Sequence, residues 1–338
     1  MTIRFWGVRG SVAVPGPGTV RYGGNTSCVE ARWGRDIVIL DAGTGIRELG
    51  KSLLGELTHH PGRVWILITH THWDHIQGFP FFAPAYLANQ QIRIVGWRGS
   101  RSGLQRTVAT SVESPFFPVS LPQMPGTITI RELRTARFRI GRVRGTAGRI
   151  HHPGGGVAYR LDTPAGSLAY VPDHEVLCSG TTSTAPSAMA GVNPTPGYGT
   201  GSDSNSDPPR NPLAAQRRAR RCQEEIRALI QGADVLIHDA QYTPDEYASR
   251  VGWGHSCVDA VVRQAAEADV KHLLLFHHDP DRADDQLDLI LARARSLAAT
   301  LNPRLKVDAA WEGLELRLEA DSRGGVSPSR APRKNHGT

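Results

Sequence analysis

The sequence has few cysteines and no long apolar run. Its four cysteines, Cys28, Cys178, Cys222 and Cys257, lie far apart without a Cys-x-x-Cys pair, which excludes a disulfide scaffold and a cysteine-type zinc finger and suits a reducing compartment. No run approaches the 18 apolar residues of a membrane-spanning helix, and the N-terminus MTIRFWGVRGSV lacks the apolar core of a signal peptide. We therefore expect a cytoplasmic protein with no membrane partner.

A global excess of basic charge is also missing once the charges are located. The net charge is +7, but QRRARR at Gln216–Arg221 supplies +4 and the last 18 residues, from Asp321, supply +3. The remaining body is close to neutral. Stable nucleic-acid binding through a general basic surface is therefore not expected.

Two segments have little to bury. Ser179–Pro212 has 34 residues, of which 27 are Gly, Pro, Ser, Thr, Asn or Asp, a composition typical of disorder. Because it interrupts a patterned region, we interpret it as a surface insertion in one domain that spans residues 1–320. The basic tail, residues 321–338, is the second segment predicted to be disordered.

The patterned regions alternate between strands and helices, which favours an α/β layered architecture with sheets inside and helices outside. The predicted strands are Ile37–Leu40, Val64–Thr69, Ile92–Val95, Phe138–Val143, Val157–Leu161, Leu168–Val171, Val235–Ile237, Leu273–Phe276 and Leu314–Leu318. The predicted helices are Gly45–Leu54, Leu213–Gln231, Cys257–Ala268 and Asp284–Leu301.

The strongest chemical signal is the run Thr69–His75, THTHWDH, directly after the apolar strand VWILI. Alternate residues of an extended segment point the same way, so His70 and His72 can bind one ion. If the chain then turns, Asp74 and His75 can face a second ion. Imidazole and carboxylate together suit zinc, with iron or manganese as alternatives. Trp73, inside this run, could pack beneath the metals or stack on a base, and we expect packing.

Three further His or Asp pairs lie near strand ends, where ligands gather in open α/β sheets. They are His151-His152, Asp173-His174 and His277-His278. The residues alone leave open which member of each histidine pair binds metal. Together with the first run they complete the ligands of a two-metal site.

The order HxHxDH, His, Asp, His resembles the metallo-β-lactamase fold, and so does LDAGTG at Leu40–Gly45. This resemblance implies an αββα sandwich with metals at one edge of two central sheets. It assigns the first metal to His70, His72 and His152, the second to Asp74, His75 and His277, and the bridging position to Asp173. His152 is preferred over His151 because the family ligand precedes the Pro/Gly turn, and His277 over His278 because it directly follows the strand.

The finer resemblance is to the phosphodiesterase branch. His238-Asp239-Ala240 followed by Gly254-His255-Ser256 is similar to the paired motifs of ribonuclease Z, while RFWGVRGS and YGGNTSC resemble cyclic-nucleotide phosphodiesterases of the anti-Pycsar type. The resemblance implies in-line attack on phosphorus by a two-metal-activated hydroxide. Asp74 would orient that hydroxide, and His255, oriented by Asp239, would protonate the leaving oxygen.

We therefore expect a dinuclear zinc phosphodiesterase that cleaves 3′,5′-cyclic nucleotides and forms a homodimer. The alternatives are a ribonuclease Z-like tRNA 3′-processing endonuclease and a cyclic ribose phosphate phosphodiesterase. Only 20 residues separate His152 from Asp173, which leaves no room for the tRNA-binding arm that ribonuclease Z relatives carry there. Phe116-Phe117, bounded by prolines, is a candidate lid, dimer contact or core plug, with a lid or dimer contact preferred.

Overall fold

The computed structural model describes residues 1–60, 62–97, 103–177 and 212–319, with the backbone of residues 326–328. The predicted insertion Ser179–Pro212 lies outside the described residues except at Pro212, where a helix begins. The predicted tail also lies outside them, except that residues 326–328 form a strand at a sheet edge. There the prediction of disorder differs from the structure, because the outer edge of the neighbouring strand offers backbone groups to pair with.

Within the described residues, fifteen strands form two sheets. In chain order they are β1 Thr2–Gly7, β2 Cys28–Trp33, β3 Asp36–Leu40, β4 Arg63–Ile68, β5 Gln91–Trp97, β6 Thr127–Leu133, β7 Arg137–Ile140, β8 Val143–Arg149, β9 Val157–Thr163, β10 Gly166–Val171, β11 Val235–Asp239, β12 His272–Phe276, β13 Lys306–Ala309, β14 Glu315–Leu318 and β15 Val326–Pro328. The first sheet has the order β15-β14-β1-β2-β3-β4-β5-β6, and the second has the order β13-β12-β11-β10-β9-β8-β7.

The helices, in chain order, are α1 Ile46–His59, α2 Trp73–Ile76, α3 Leu104–Ser111, α4 Pro212–Ile230, α5 Pro244–Tyr247, α6 Val258–Glu267 and α7 Asp284–Leu301. The longer helices, α1, α3, α4, α6 and α7, lie on the outer faces of the sheets, while α2 and α5 are single turns in loops. Single 3₁₀ turns occur at Pro17–Thr19, Phe79–Phe81, Ala83–Tyr86 and Leu121–Gln123. No helix of the described ranges is long and apolar enough to cross a membrane.

The hydrophobic core has three layers, which confirms the predicted αββα sandwich. Side chains from both sheets, Phe5, Tyr159 and Phe276 among them, fill the space between the sheets. A second layer lies between the first sheet and α1 and α3, and a third lies between the second sheet and α4, α6 and α7. The amphipathic stripe of each helix explains this placement, as Leu49 and Leu53 of α1 show by their complete burial.

The parallel strands decide where functional side chains meet. Strands β3 to β6 run parallel in one sheet, and β10 to β13 run parallel in the other. The carboxyl ends of parallel neighbours lie at one edge of their sheet. Loops that follow β4, β10 and β12 therefore come together at the same end of the sandwich.

One predicted strand was wrong in its continuity. Phe138–Val143 is interrupted between Ile140 and Val143, which pair with each other across a tight turn from β7 to β8. Gly141 adopts φ +52 in this turn, a conformation that glycine reaches without a steric penalty. Strands β1, β2, β6 and β13, and all of β8 after Val143, were not predicted, although β1 and β6 alternate apolar and polar side chains as half-buried strands do.

Three of the four cysteines lie among the described residues. Cys28, Cys222 and Cys257 are free and buried. Cys178 lies outside the described residues.

Candidate metal centre

The run HTHWDH supplies metal-binding side chains from two kinds of backbone. It begins two residues beyond the end of β4, and His72 is still extended (φ −65, ψ 152) as the N-cap of α2. Asp74 and His75 then lie in the single turn of α2. The change from extended chain to helix places these two side chains in a second group, although the His75 ring still contacts that of His70 with centroids 4.2 Å apart.

The structure brings all seven predicted metal-binding residues together in two groups, which we name by their depth. The outer group comprises His70, His72, His152 and Asp173, and the inner group comprises Asp74, His75, Asp173 and His277. Within each group the nitrogen and oxygen donors lie within 4.8 Å of one another. Asp173 belongs to both groups, which is the arrangement of a bridging carboxylate.

The geometry also distinguishes the neighbouring histidines. His278 directs Nε2 to the carbonyl oxygen of Ala310 at 2.9 Å, away from both groups. His151 belongs to neither group, while its amide donates to Nδ1 of His174 at 2.9 Å. The structure thus places His152 and His277 in the groups, as the preference stated, and gives His174 a structural contact.

The outer group lies toward solvent. His72 is exposed, while His70, His152 and Asp173 are buried. Nδ1 of His72 lies 3.0 Å from Nε2 of His152, and Oδ2 of Asp173 lies 3.5 Å from Nε2 of His70 and 3.6 Å from Nε2 of His152. The other nitrogen of His152 faces the carbonyl oxygen of Gly254 at 3.0 Å.

The inner group is completely enclosed. Nε2 of His75 lies 3.0 Å from Oδ1 of Asp173 and 3.1 Å from Oδ2 of Asp74. Nε2 of His277 lies 3.0 and 3.2 Å from the same two oxygens. The backbone amide of Ser11 also donates to Oδ2 of Asp74 at 2.8 Å.

A buried carboxylate outside both groups orients His75. Oδ2 of Asp41 accepts from Nδ1 of His75 at 2.8 Å and from the hydroxyl of Tyr170 at 2.9 Å. The amide and hydroxyl of Thr69 donate to the same carboxylate. This pattern of carboxylate, imidazole and open Nε2 is the support that metal-binding histidines usually have.

The donor atoms fit divalent cations. Nε2 of His70, Nε2 of His75 and Oδ1 of Asp173 are buried without a hydrogen-bond partner. The last two are 3.0 Å apart but are not aligned for a hydrogen bond. Buried polar atoms rarely lack partners. These three lie one in the outer group, one in the inner group and one on the shared Asp173, so each group fits a cation, and the nitrogen and oxygen donors suit zinc, iron or manganese.

Electrostatics differ between the groups. Burial lowers the pKa of His70 and lowers that of His152 to about 4, so both favour the neutral form that binds metal. Burial also opposes charge on His75, but three neighbouring carboxylates, Asp173 the strongest, outweigh it and raise the pKa of His75. The inner group therefore attracts positive charge.

Backbone strain is concentrated at this centre. Asp41, Asp173 and His277 adopt φ of +60, +46 and +56, in the left-handed region that non-glycine residues rarely occupy. Such residues cost about 1–3 kcal/mol each and typically mark functional sites. Each of the three directly follows a strand or lies two residues beyond one, so the strain turns its side chain into the centre.

A third group adjoins the inner one. Nδ1 of His255 lies 2.8 Å from Oδ2 of Asp239, and its ring stacks on that of His277 with centroids 5.0 Å apart. Burial alone would lower the pKa of His255, but the Asp239 carboxylate raises it to about 9. Its imidazole therefore carries a proton that Asp239 orients, next to the metal-binding side chains.

Several contributors were not anticipated as parts of the site. Asp41 was noted only within LDAGTG, and nothing in the sequence linked the Gly254 carbonyl or Gln241, whose Oε1 lies 3.2 Å from Nδ1 of His277, to the metals. The expectation that Trp73 packs beneath the metals was wrong. Its side chain is 59% exposed, because the single turn of α2 directs Asp74 inward and the preceding residue outward.

Comparison with known proteins places this geometry in a family context. Residues 36–182 match the β-lactamase superfamily domain. A ribonuclease Z from Staphylococcus haemolyticus is 24% identical over 256 residues, covering 68% of this chain and 76% of that protein.

Two solved structures share the architecture. The metallo-β-lactamase fold protein YhfI from Bacillus subtilis superposes with a TM-score of 0.58 at 16% identity, covering 93% of this chain and 98% of YhfI. A diphosphatase from the PhnP family gives a TM-score of 0.56 at 16% identity, covering 94% and 98%. At these identities the likeness shows the fold.

Proposed function

We propose that this chain, which has the metallo-β-lactamase fold and matches the β-lactamase superfamily domain over residues 36–182, is a metal-dependent phosphodiester hydrolase of small 3′,5′-cyclic nucleotides. The observation that carries the proposal is the third group, His255 and Asp239, beside the metal-binding groups. A proton donor at this place suits a reaction in which an alkoxide leaves. Cleavage of a phosphodiester is such a reaction.

The chain's own residues supply three functions in this proposal. The outer and inner groups would hold two divalent ions, which lower the pKa of water and neutralise phosphate oxygens when bound. Asp74 orients the attacking water in line with the bond to be broken. As the bond from phosphorus to the ribose oxygen breaks, Nε2 of His255 donates its proton to that oxygen. Nδ1 of His255 keeps its proton and continues to donate to the Asp239 carboxylate.

A small substrate is favoured by the chain between two of the metal-binding residues. The segment from His152 to Asp173 contains only a tight turn and the antiparallel pair β9 and β10. It carries no protruding arm that would hold a folded RNA. Zinc as the metal, a homodimeric assembly and a cytoplasmic location stay predictions.

A ribonuclease Z-like endonuclease is the second candidate function. It is favoured by the 24% identity to the staphylococcal ribonuclease Z over 256 residues. A cyclic ribose phosphate phosphodiesterase is an alternative within the small-substrate class. The three candidates differ in substrate and share the metal-binding groups.

A substrate panel tests the proposal. The full chain, loaded separately with zinc and manganese, is incubated with 3′,5′-cyclic mononucleotides, cyclic dinucleotides, a ribose cyclic phosphate and precursor tRNA. We expect cyclic nucleotides to be cleaved fastest by the wild type and by Asp281→Ala, an exposed-aspartate control, and not by Asp74→Ala. Preferred cleavage of precursor tRNA would favour the second candidate, and no cleavage of any phosphodiester would overturn the proposal.

The role of His255 has its own test. His255→Ala should lower kcat by about 10²–10⁴-fold, the usual contribution of a general acid, with metal content unchanged. The loss should be much smaller for a nitrophenyl phosphodiester, because that leaving group departs without a proton. If His255→Ala removes a metal ion instead, the residue is a metal-binding side chain and the assignment is wrong.

A further inference from the structure

Two of the seven tryptophans are exposed, and both adjoin the outer group. Trp73 is 59% and Trp253 is 52% exposed. The other five, at positions 6, 33, 65, 97 and 311, are half-buried against the core layers. A large apolar side chain left in water gains nothing for the fold.

The positions of the two tryptophans are linked through the outer group. Trp73 directly follows His72, whose Nδ1 lies 3.0 Å from Nε2 of His152. Trp253 directly precedes Gly254, whose carbonyl oxygen lies 3.0 Å from Nδ1 of the same His152. Consecutive Cα atoms are about 3.8 Å apart. Trp73 is therefore one residue from the His72–His152 pair, and Trp253 is one residue from the carbonyl that His152 faces.

The loop that carries Trp253 is fixed in place. The buried carboxylate of Glu175 accepts the amides of Gly252 at 2.8 Å and Gly254 at 3.1 Å, and the Tyr247 hydroxyl at 2.7 Å. Gly252 and Gly254 adopt φ of +89 and +87, which glycine tolerates. The exposed indole of Trp253 is therefore attached to a backbone segment that hydrogen bonds fix on both sides.

Neither indole is used within the described part of the chain. The aromatic pairs and the guanidinium contacts on aromatic rings found there involve other side chains. The outer group is also the half of the centre that reaches solvent, through His72. A substrate whose phosphate binds at the centre would thus extend past these two rings.

We propose that Trp73 and Trp253 determine specificity by stacking on an aromatic group of the substrate, the nucleobase of a nucleotide. The inference rests on the proposed function. It adds recognition of the base, which the metal-binding groups would not provide because they would contact only the phosphate. Indole is well suited to the task because every base has a π-face. Stacking of one base on one aromatic side chain typically contributes about 5- to 100-fold in affinity.

The test compares substrates with and without a base. Trp73→Leu and Trp253→Leu keep apolar bulk but remove the ring, Trp253→Phe keeps a smaller ring, and Leu289→Ala is a control at an apolar residue that is 73% exposed. We expect each leucine variant to lower the ratio of kcat/KM for a 3′,5′-cyclic nucleotide over a base-free ribose cyclic phosphate by about 5- to 100-fold, mainly through KM. Trp253→Phe should restore part of the ratio.

A binding measurement separates this inference from the proposed function. Adenosine 5′-monophosphate should quench the tryptophan fluorescence of the metal-loaded chain, ribose 5-phosphate should not, and both leucine variants should weaken the quenching. If the wild type cleaves phosphodiesters while the ratio and the quenching are unchanged in both variants, the inference is overturned and the proposed function stands. If no phosphodiester is cleaved, the proposed function fails and the fluorescence titration decides the inference alone. A change in oligomeric state without a change in either readout would assign the rings to a protein interface and overturn it.

Discussion

The outer and inner groups share Asp173 but are supported in different ways. In the outer group, His72 is exposed and His152 rests on a neutral peptide carbonyl, that of Gly254. In the inner group every member is buried, and His75 rests on the Asp41 carboxylate. The outer group is open to solvent and one of its histidines is oriented by a peptide carbonyl, whereas the inner group is buried and one of its histidines is oriented by a carboxylate.

This difference indicates how one chain can bind two ions with different affinities and different access to the substrate. A carboxylate behind an imidazole raises the basicity of the ligand and fixes its ring more strongly than a carbonyl does. We expect the inner ion to be bound more tightly, and the outer ion to exchange more readily and to face the substrate. The predictions that follow test this asymmetry, from the largest effect to the smallest.

Removing the shared residue should abolish the distinction. Asp173→Asn keeps the size of the side chain but withdraws the charge common to both groups, so we expect metal content to fall at both and activity to fall by about 10³-fold or more. Metal analysis of the purified variant, with Asp285→Asn as the control at an exposed aspartate, measures this. Loss of a single ion would show that Asp173 serves one group only.

Removing one histidine from each group should separate them. His277→Ala is expected to empty the inner group and to reduce activity more than His72→Ala, which should empty only the outer group and leave a chain that still binds one ion. Metal titration followed by spectroscopy with cobalt as the probe distinguishes the two. Equal losses from both variants would mean that the two positions fill only together.

The charge behind His75 can be removed without touching a metal-binding residue. Asp41→Asn should lower inner-group affinity by about 10–100-fold, the usual effect of losing such a support, and should leave the outer group nearly unchanged. Asp234→Asn is a matched control, since Asp234 also accepts a backbone amide and a hydroxyl, from Ser167 at 2.8 and 2.9 Å, but outside both groups. Competition with a chelator gives both affinities, and an equal fall in the two would contradict the asymmetry.

The weakest predicted effect concerns the loop behind His152. Glu175→Gln replaces one carboxylate oxygen by an NH2 group, which cannot accept a hydrogen bond. The two backbone N–H groups of Gly252 and Gly254 then no longer have one acceptor oxygen each. We expect outer-group affinity to fall by about tenfold, because the Gly254 carbonyl loses its fixed position. Glu267→Gln, at an exposed ion pair with Arg227, controls for loss of charge, and an effect on the inner group instead would show that Glu175 acts elsewhere.

The sequence was most informative where the site is local. His70, His72, Asp74 and His75 lie within six residues after one apolar strand. Strand periodicity predicted that His70 and His72 share one group, and a turn after them placed Asp74 and His75 in a second group. The layered fold followed from the alternation of apolar strands with amphipathic helices. Both signals depend on short-range geometry, which sequence patterns report well.

The supporting residues could not be found in that way. Asp41 reaches His75 from 34 positions away in the chain, through the parallel pairing of β3 with β4. Glu175 reaches Gly254 across 79 positions. Such contacts are fixed by topology, and a backbone carbonyl as acceptor leaves no trace in residue identity. Trp73 was misplaced for a related reason, because a single helical turn presents both an inward and an outward face.

The left-handed backbone conformations at Asp41, Asp173 and His277 orient side chains of the metal centre but lower the stability of the fold. Glycine at these positions would relieve conformations that cost about 1–3 kcal/mol each, and loss of the two aspartates would also remove buried negative charge. Selection for thermal stability alone would therefore be expected to discard these three side chains early, as happens when activity depends on a destabilised site. In a variant engineered for thermal stability, a gain in melting temperature from a substitution at these positions should be accompanied by a loss of activity.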